Sequence, residues 1–160
     1  MSSARSMVPK DSRARVSLRS ASDPERTRAQ GVLTTGNRGY KVLQASCHCG
    51  AIGLSVPSEP DHLVDCNCSL CHRYGALWAL YEPATVGLSG RLDQLVAYVW
   101  GKRSIRTMHC GVCGCVTHWE PITADGGDKF GVNMRNFDPA LINSVKTRKF
   151  DGAETWTFLE

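Results

Sequence analysis

Asp65-Cys66-Asn67-Cys68-Ser69-Leu70-Cys71-His72-Arg73-Tyr74-Gly75 places three cysteines within six residues, in the order C-x-C-x-x-C. Thiolate is a soft ligand suited to zinc, and zinc sites gather cysteines at such short spacings. Three thiolates from one loop leave one tetrahedral position to be filled from elsewhere. What fills it separates a structural fastener from an active site.

Working outward, the chain of 160 residues holds eight cysteines, an even number that raises the question of a disulfide framework. No run reaches the roughly 18–20 apolar residues of a membrane span, and the first thirty residues lack the apolar core of a secretory signal. A cytoplasmic, reducing setting is therefore expected, and there metal binding outranks disulfides. Hydrophobic residues make up 42%, enough for a packed core. Residues 1–40 carry Lys10 and seven arginines against Asp11, Asp23 and Glu25, a net +5, which leaves −1 for the rest of a chain whose total is +4. The basic character thus belongs to the N-terminal stretch. The remainder shows no electrostatic footprint for nucleic acid, so no specific nucleic-acid partner and no membrane partner are expected.

Residues 1–38 are Ser- and Arg-rich with few large apolar side chains, and read as a disordered basic extension. Ser22-Asp23-Pro24-Glu25 resembles a helix start, but too short a segment follows it before Gly31 to make a stable helix. Residues 39–160 read as one zinc-binding domain. Its pattern is of short runs rich in β-branched and aromatic residues, broken by Gly and Pro, which predicts a mainly β fold. Eleven strands are expected: Lys41–Ser46, Ala51–Val56, His62–Asp65, Ala76–Tyr81, Val86–Leu88, Leu95–Trp100, Ser104–His109, Val116–Glu120, Phe130–Met134, Val145–Phe150 and Thr155–Phe158. Single helical turns are expected at Ser69–Tyr74 and at Pro139–Asn143, the latter after Asp138 as N-cap with Pro at the first helical position.

The other cysteines form two clusters. Cys47-His48-Cys49-Gly50 can present two sulfurs on one side of an extended strand end, and Cys110-Gly111-Val112-Cys113-Gly114 is a C-x-x-C knuckle. Joined, these half-sites make a four-cysteine zinc centre. Cys66, Cys68, Cys71 and Cys115 remain. Spacing alone allows a second closed site with Cys115 as fourth ligand, or a three-cysteine site with an exchangeable position.

The ordered motifs Cys47-His48-Cys49-Gly50-Ala51-Ile52, Cys66-Asn67-Cys68-Ser69-Leu70-Cys71-His72-Arg73-Tyr74-Gly75 and Cys110-Gly111-Val112-Cys113-Gly114 resemble those of the glutathione-dependent formaldehyde-activating enzyme family, whose relatives include centromere protein V. The likeness covers about residues 40–158, and the closing Asp151-Gly152-Ala153-Glu154-Thr155-Trp156-Thr157-Phe158 is similar to the end of bacterial members. The resemblance implies a β-tent of small antiparallel sheets held by zinc. It implies two zinc ions per chain, a structural one on Cys47, Cys49, Cys110 and Cys113 and a catalytic one on Cys66, Cys68 and Cys71. It implies a carbon–sulfur lyase that adds glutathione to formaldehyde, so small thiols and aldehydes are the expected partners. Two positions depart from the family's habit: Cys115 stands where serine is common, and His72 where arginine is common.

A zinc with three thiolates carries a formal −1, which makes it a weak Lewis acid better suited to activating a thiol than to generating hydroxide. Arg73 either offsets that charge, binds a carboxylate or is a solvated surface residue. Asn67 and Ser69 either support the thiolates or simply form the turn. Trp78, Tyr81, Trp100 and Trp119 read as core more readily than as pocket walls. Asn133 and Arg135, two apart near a strand end, are expected to share a face. His62, His109 and His118 read as half-buried. The competing reading is a zinc-stabilised binding module in which both metals are structural and no catalysis occurs. The sequence leaves the oligomeric state open.

Overall fold

Alternating burial along Ile52–Val56, with Ile52, Leu54 and Val56 inward, is the signature of a strand with one face on a core. The computed structural model describes residues 42–159, and all eleven expected strands form there. They are β1 (Leu43–Ser46), β2 (Ile52–Val56), β3 (Leu63–Cys66), β4 (Trp78–Tyr81), β5 (Gly87–Gly90), β6 (Leu95–Val99), β7 (Ile105–Cys110), β8 (Val116–Pro121), β9 (Phe130–Asn133), β10 (Thr147–Asp151) and β11 (Thr157–Phe158). Two short helices interrupt them, α1 (Ser69–Tyr74) and α2 (Pro139–Ser144). The basic extension expected at 1–38, including Ser22–Glu25, lies outside the described residues.

β1, β2 and β5 form one sheet, and the other eight strands run in the order β11-β10-β3-β4-β9-β8-β7-β6. The longer sheet narrows in the middle, where β3 and β4 share a single residue pair, Val64 with Trp78. It is in effect two smaller sheets joined at a seam. One pair departs from the expected antiparallel arrangement: β10 runs parallel to β3, with Phe150 opposite Cys66. A parallel neighbour needs a long crossover, and here the whole stretch from α1 to α2 supplies it.

The main core lies where alternate residues of β2, β4 and β9 meet: Leu54 and Val56, Ala79 and Tyr81, Phe130 and Val132, with Leu63, Leu77, Met134 and Phe137 closing it. Leu63, Val56, Val132 and Met134 are fully buried, and each such side chain contributes about 1.5–3 kcal/mol relative to exposure. Asn133 sits in the same region. Its side-chain oxygen accepts from the backbone of Leu77 (3.3 Å) and Arg135 (3.2 Å), and its amide donates to Val116 O (2.9 Å). It is thus committed to the fold, and only Arg135 remains exposed.

His118 is buried at 1% exposure, not half-buried as its surroundings in the sequence suggested. It stacks on Phe130 at 4.8 Å, and Nδ1 lies 3.0 Å from the Thr117 hydroxyl. Burial pulls its pKa from 6.5 down to about 4. The folded state therefore holds fewer protons than the unfolded chain between these values. The effect is nil above pH 6.5 and destabilises the fold progressively as pH falls toward 4, by about 3 kcal/mol in all. Thermal midpoints at pH 7 and 4.5 should fall further for the wild type than for His118→Phe, with metal release common to both. Equal losses would exclude His118 as the source.

Candidate metal centres

Cys47 follows β1 and Cys110 ends β7, and each is succeeded by a tight turn that brings a second cysteine back beside it. Gly50 N–H donates to Cys47 O (2.9 Å) and Gly114 N–H to Cys110 O (2.7 Å). A turn, rather than the extended strand end expected from C-x-C, thus pairs Cys47 with Cys49. The four sulfurs of Cys47, Cys49, Cys110 and Cys113 all lie within 4.8 Å of one another. Cys47 Sγ is 3.6 Å from Cys49 Sγ, and Cys49 Sγ is 3.7 Å from Cys110 Sγ. Zn–S bonds of about 2.3 Å in a tetrahedron set S···S at roughly 3.8 Å. The donor set and its spacing therefore fit zinc, and all eight cysteines of the chain are free thiols.

The second group is Cys66, Cys68 and Cys71, whose sulfurs also lie within 4.8 Å of one another. Cys66 ends β3. Cys68 is the N-cap of α1, its thiol accepting from Cys71 N–H at 3.4 Å. A C-x-x-C at a helix N-terminus places both sulfurs on the first turn in this way. Gly75 ends the helix at φ +58, a conformation that costs glycine little. Trp78 is buried as expected, yet its indole N–H donates to Cys71 Sγ at 3.2 Å, so it belongs to the site as well as the core. Among the described residues, no fourth His, Cys, Asp or Glu joins this group.

Cys115 stands with the first group: it packs against the patch of Cys47, Ile52 and Cys110, and its backbone oxygen accepts from Cys110 N–H at 2.9 Å. The closed arrangement of Cys66, Cys68, Cys71 and Cys115 that spacing allowed is not the one adopted.

The two groups share an electrostatic pattern. The neighbouring Cys71 thiol holds Cys66 down to about 6, helped against burial by the N–H groups of Cys68 and Gly152. The same Cys66, together with burial, pushes Cys71 upward. In the first group, burial pushes Cys47 up to about 12. Burial also opposes ionisation of Cys113, but N–H groups of Cys115 and Cys49 and the adjoining thiols outweigh it and hold Cys113 down to about 6. Each group thus sets a thiol whose ionisation is favoured beside one whose ionisation is opposed, and a divalent ion would displace any thiol protons on binding.

The exposure differs. The first group joins buried Cys47 and Cys110 to half-exposed Cys113 and exposed Cys49, whereas all three of the second group are half-exposed, and Cys66 and Cys71 open on a cleft of about 390 Å³. Arg135, Lys149, Phe150 and His72 also line it. Lys149 pairs with Asp65 at 2.5 Å. Arg73 turns away and donates to Ser69 O at 2.7 Å within its own helix.

The loop after β10 was the part of the site the sequence did not announce. A side chain at buried Gly152 would place its Cβ 2.5 Å from Cys66 Sγ. Asp151, also buried, accepts from Asn67 Nδ2 (2.9 Å), the Thr155 hydroxyl (2.8 Å), Thr155 N–H (3.1 Å) and Glu154 N–H (3.3 Å). Those bonds, that from Asn67 foremost, hold its carboxyl down to about 2. The stretch Asp151–Phe158 is similar to the end of bacterial family members and its Asp-Gly pair marks a turn, but neither says what the turn touches.

A family model described as glutathione-dependent formaldehyde-activating enzyme matches residues 42–157. The chain also resembles the crystal structure of a Rhodobacter sphaeroides protein, with TM-score 0.55 and 26% sequence identity over 65% of this chain and 98% of that one.

Proposed function

The chain belongs to the glutathione-dependent formaldehyde-activating enzyme family, and from that premise we propose that it is a zinc-dependent carbon–sulfur lyase joining a small thiol to a small aldehyde. Cys47, Cys49, Cys110 and Cys113 would hold a structural zinc, and Cys66, Cys68 and Cys71 a catalytic one. The observation that carries this reading is the contrast between the groups: four thiols that complete a tetrahedral donor set, and three half-exposed thiols of which Cys66 and Cys71 line a cleft. Zinc bound at the second group would supply Lewis acidity that turns a coordinating thiol into its thiolate.

The chain's own residues account for the rest. The indole N–H of Trp78 and the backbone N–H of Cys71 donate to Cys71 and Cys68 sulfur, damping the negative charge of a three-thiolate site. Exposed Arg135 at the cleft favours a thiol that also carries a carboxylate, as glutathione does. In the reaction the sulfur electron pair forms a bond to the aldehyde carbon. The C=O π pair moves to oxygen, which takes a proton through water, the thiol having given up its S–H proton to water, so that no net proton is gained or lost in forming the S-hydroxyalkyl product. No helix among the described residues is long and apolar enough to cross a membrane.

The test is metal content and adduct formation by the full chain, the latter followed by NMR with labelled formaldehyde and glutathione. Cys66→Ser, Cys68→Ser and Cys71→Ser should each keep the fold, lose one of two zinc ions and lose the acceleration over the spontaneous reaction. Retention of both ions or of full activity would overturn the assignment. Unfolding in all three would instead favour the non-catalytic module.

A further inference from the structure

Asn67 lies between Cys66 and Cys68, and its side chain is spent entirely on another loop. Nδ2 donates to Asp151 Oδ1 at 2.9 Å, and Oδ1 accepts from Ala153 N–H at 3.0 Å. Its backbone N–H donates to Phe150 O at 3.1 Å. The 151–155 loop is in turn folded around the Asp151 carboxylate, which takes donors from Glu154 and Thr155. The same loop rests Gly152 against Cys66 sulfur.

The three ligands are held by different means. Cys66 lies in β3, in register with Phe150 of β10, and Cys71 packs against Val64, Ala76 and Trp78. Cys68 has no place in that apolar cluster, and β11, which closes the neighbouring loop, is two residues long. The Asn67 side chain is what ties the stretch between Cys66 and Cys68 to that loop.

We propose that Asn67 and Asp151 are positioning residues for the second metal centre. They lock the Cys66-Asn67-Cys68 loop to the 151–155 loop, so that the ligand sulfurs and the Gly152 backbone move as one body. The inference rests on the reading that Cys66, Cys68 and Cys71 hold a metal. Residues that orient ligands in this way typically control 10–100-fold in metal affinity. Because the two act through one bond, their losses should not multiply.

The experiment uses the full chain as wild type, Asn67→Ala, Asp151→Asn and the double variant. Each is loaded with zinc and titrated with a chelator, and each is loaded separately with cobalt(II) to record the ligand-field bands of each site. Both single variants should lose second-site affinity by about 10–100-fold and show perturbed second-site cobalt bands. First-site zinc and the thermal midpoint should hold, and the double variant should lose less than the product of the singles. Single variants with wild-type affinity and spectra would overturn the proposal. So would variants that release both metals and unfold, since Asn67 and Asp151 would then serve the fold as a whole. Fully multiplicative losses would overturn it too. A wild type that binds one metal only would instead remove the metal-site reading beneath it.

Discussion

Serine in place of Cys110 is expected to leave the chain unfolded at room temperature. Cys110 is wholly buried and Cys47 is 1% exposed, yet Ile52 is the only other buried residue in their cluster. Partly buried Ala51, Leu95, Cys113 and Cys115 complete it. That patch is what joins the end of β1 and the start of β2 to β6 and β7, and so few apolar contacts cannot carry the junction alone. Structural zinc supplies roughly 10–16 kcal/mol in small zinc-binding peptides, comparable to the whole stability of a domain, about 5–15 kcal/mol. Removing one of four thiolates forfeits most of the first figure and leaves buried polar groups uncompensated. Because Cys115 lies beside the cluster, the double change Cys110→Ser/Cys115→Ser removes the neighbouring thiol as a substitute ligand. Circular dichroism and amide dispersion should show a disordered chain with less than one zinc bound. A folded variant that still holds two zinc ions would show that these cysteines are not the fold's fastener.

The strands and the grouping of the cysteines were legible in the sequence because both are local signals. Runs rich in β-branched and aromatic residues, such as Ile52–Val56 or Phe130–Asn133, report strands, and short Cys spacings report which sulfurs a turn can gather. The partner of a strand is not local. Nothing in Thr147–Asp151 says that it runs parallel beside Leu63–Cys66, and that pairing is what brings the loop after Asp151 onto the second cysteine group. Asn133 illustrates the same limit. Its position near Arg135 was readable, but its three bonds to Leu77, Val116 and Arg135 backbone depend on how β4, β8 and β9 meet. His118 looked like any polar residue on a half-buried strand, and only the stacked ring of Phe130 makes it a core residue. Cys115 was ambiguous for a related reason: spacing left it open to either group, and the turn at Cys110–Gly114 keeps it beside the first.

Gly152→Ala should empty the second centre while sparing the first. The added Cβ would stand 2.5 Å from Cys66 Sγ, 3.3 Å from Cys68 Cβ and 3.6 Å from Phe150 Cδ1. Unstrained heavy-atom contacts lie at about 3.5–4.0 Å, so the sulfur must retreat by roughly 1 Å. Zn–S distances in credible sites fall within about 0.2 Å of 2.3 Å, so a retreat of that size takes the sulfur out of bonding range. Gly152 does not have a positive φ, so the left-handed backbone penalty does not arise, and the contacts with Cys66 Sγ and, less severely, Cys68 Cβ carry the effect. Overpacking of this kind costs typically 1–3 kcal/mol, which a domain whose main core and first cysteine group are untouched can absorb. The variant should therefore remain folded with one zinc per chain and lose adduct formation to the level of Cys66→Ser. The loss would arise without changing any ligand or any titratable group. Two tightly held zinc ions and undiminished activity in Gly152→Ala would mean that Cys66 is not a ligand whose position matters, and the assignment of the second group would fall with it.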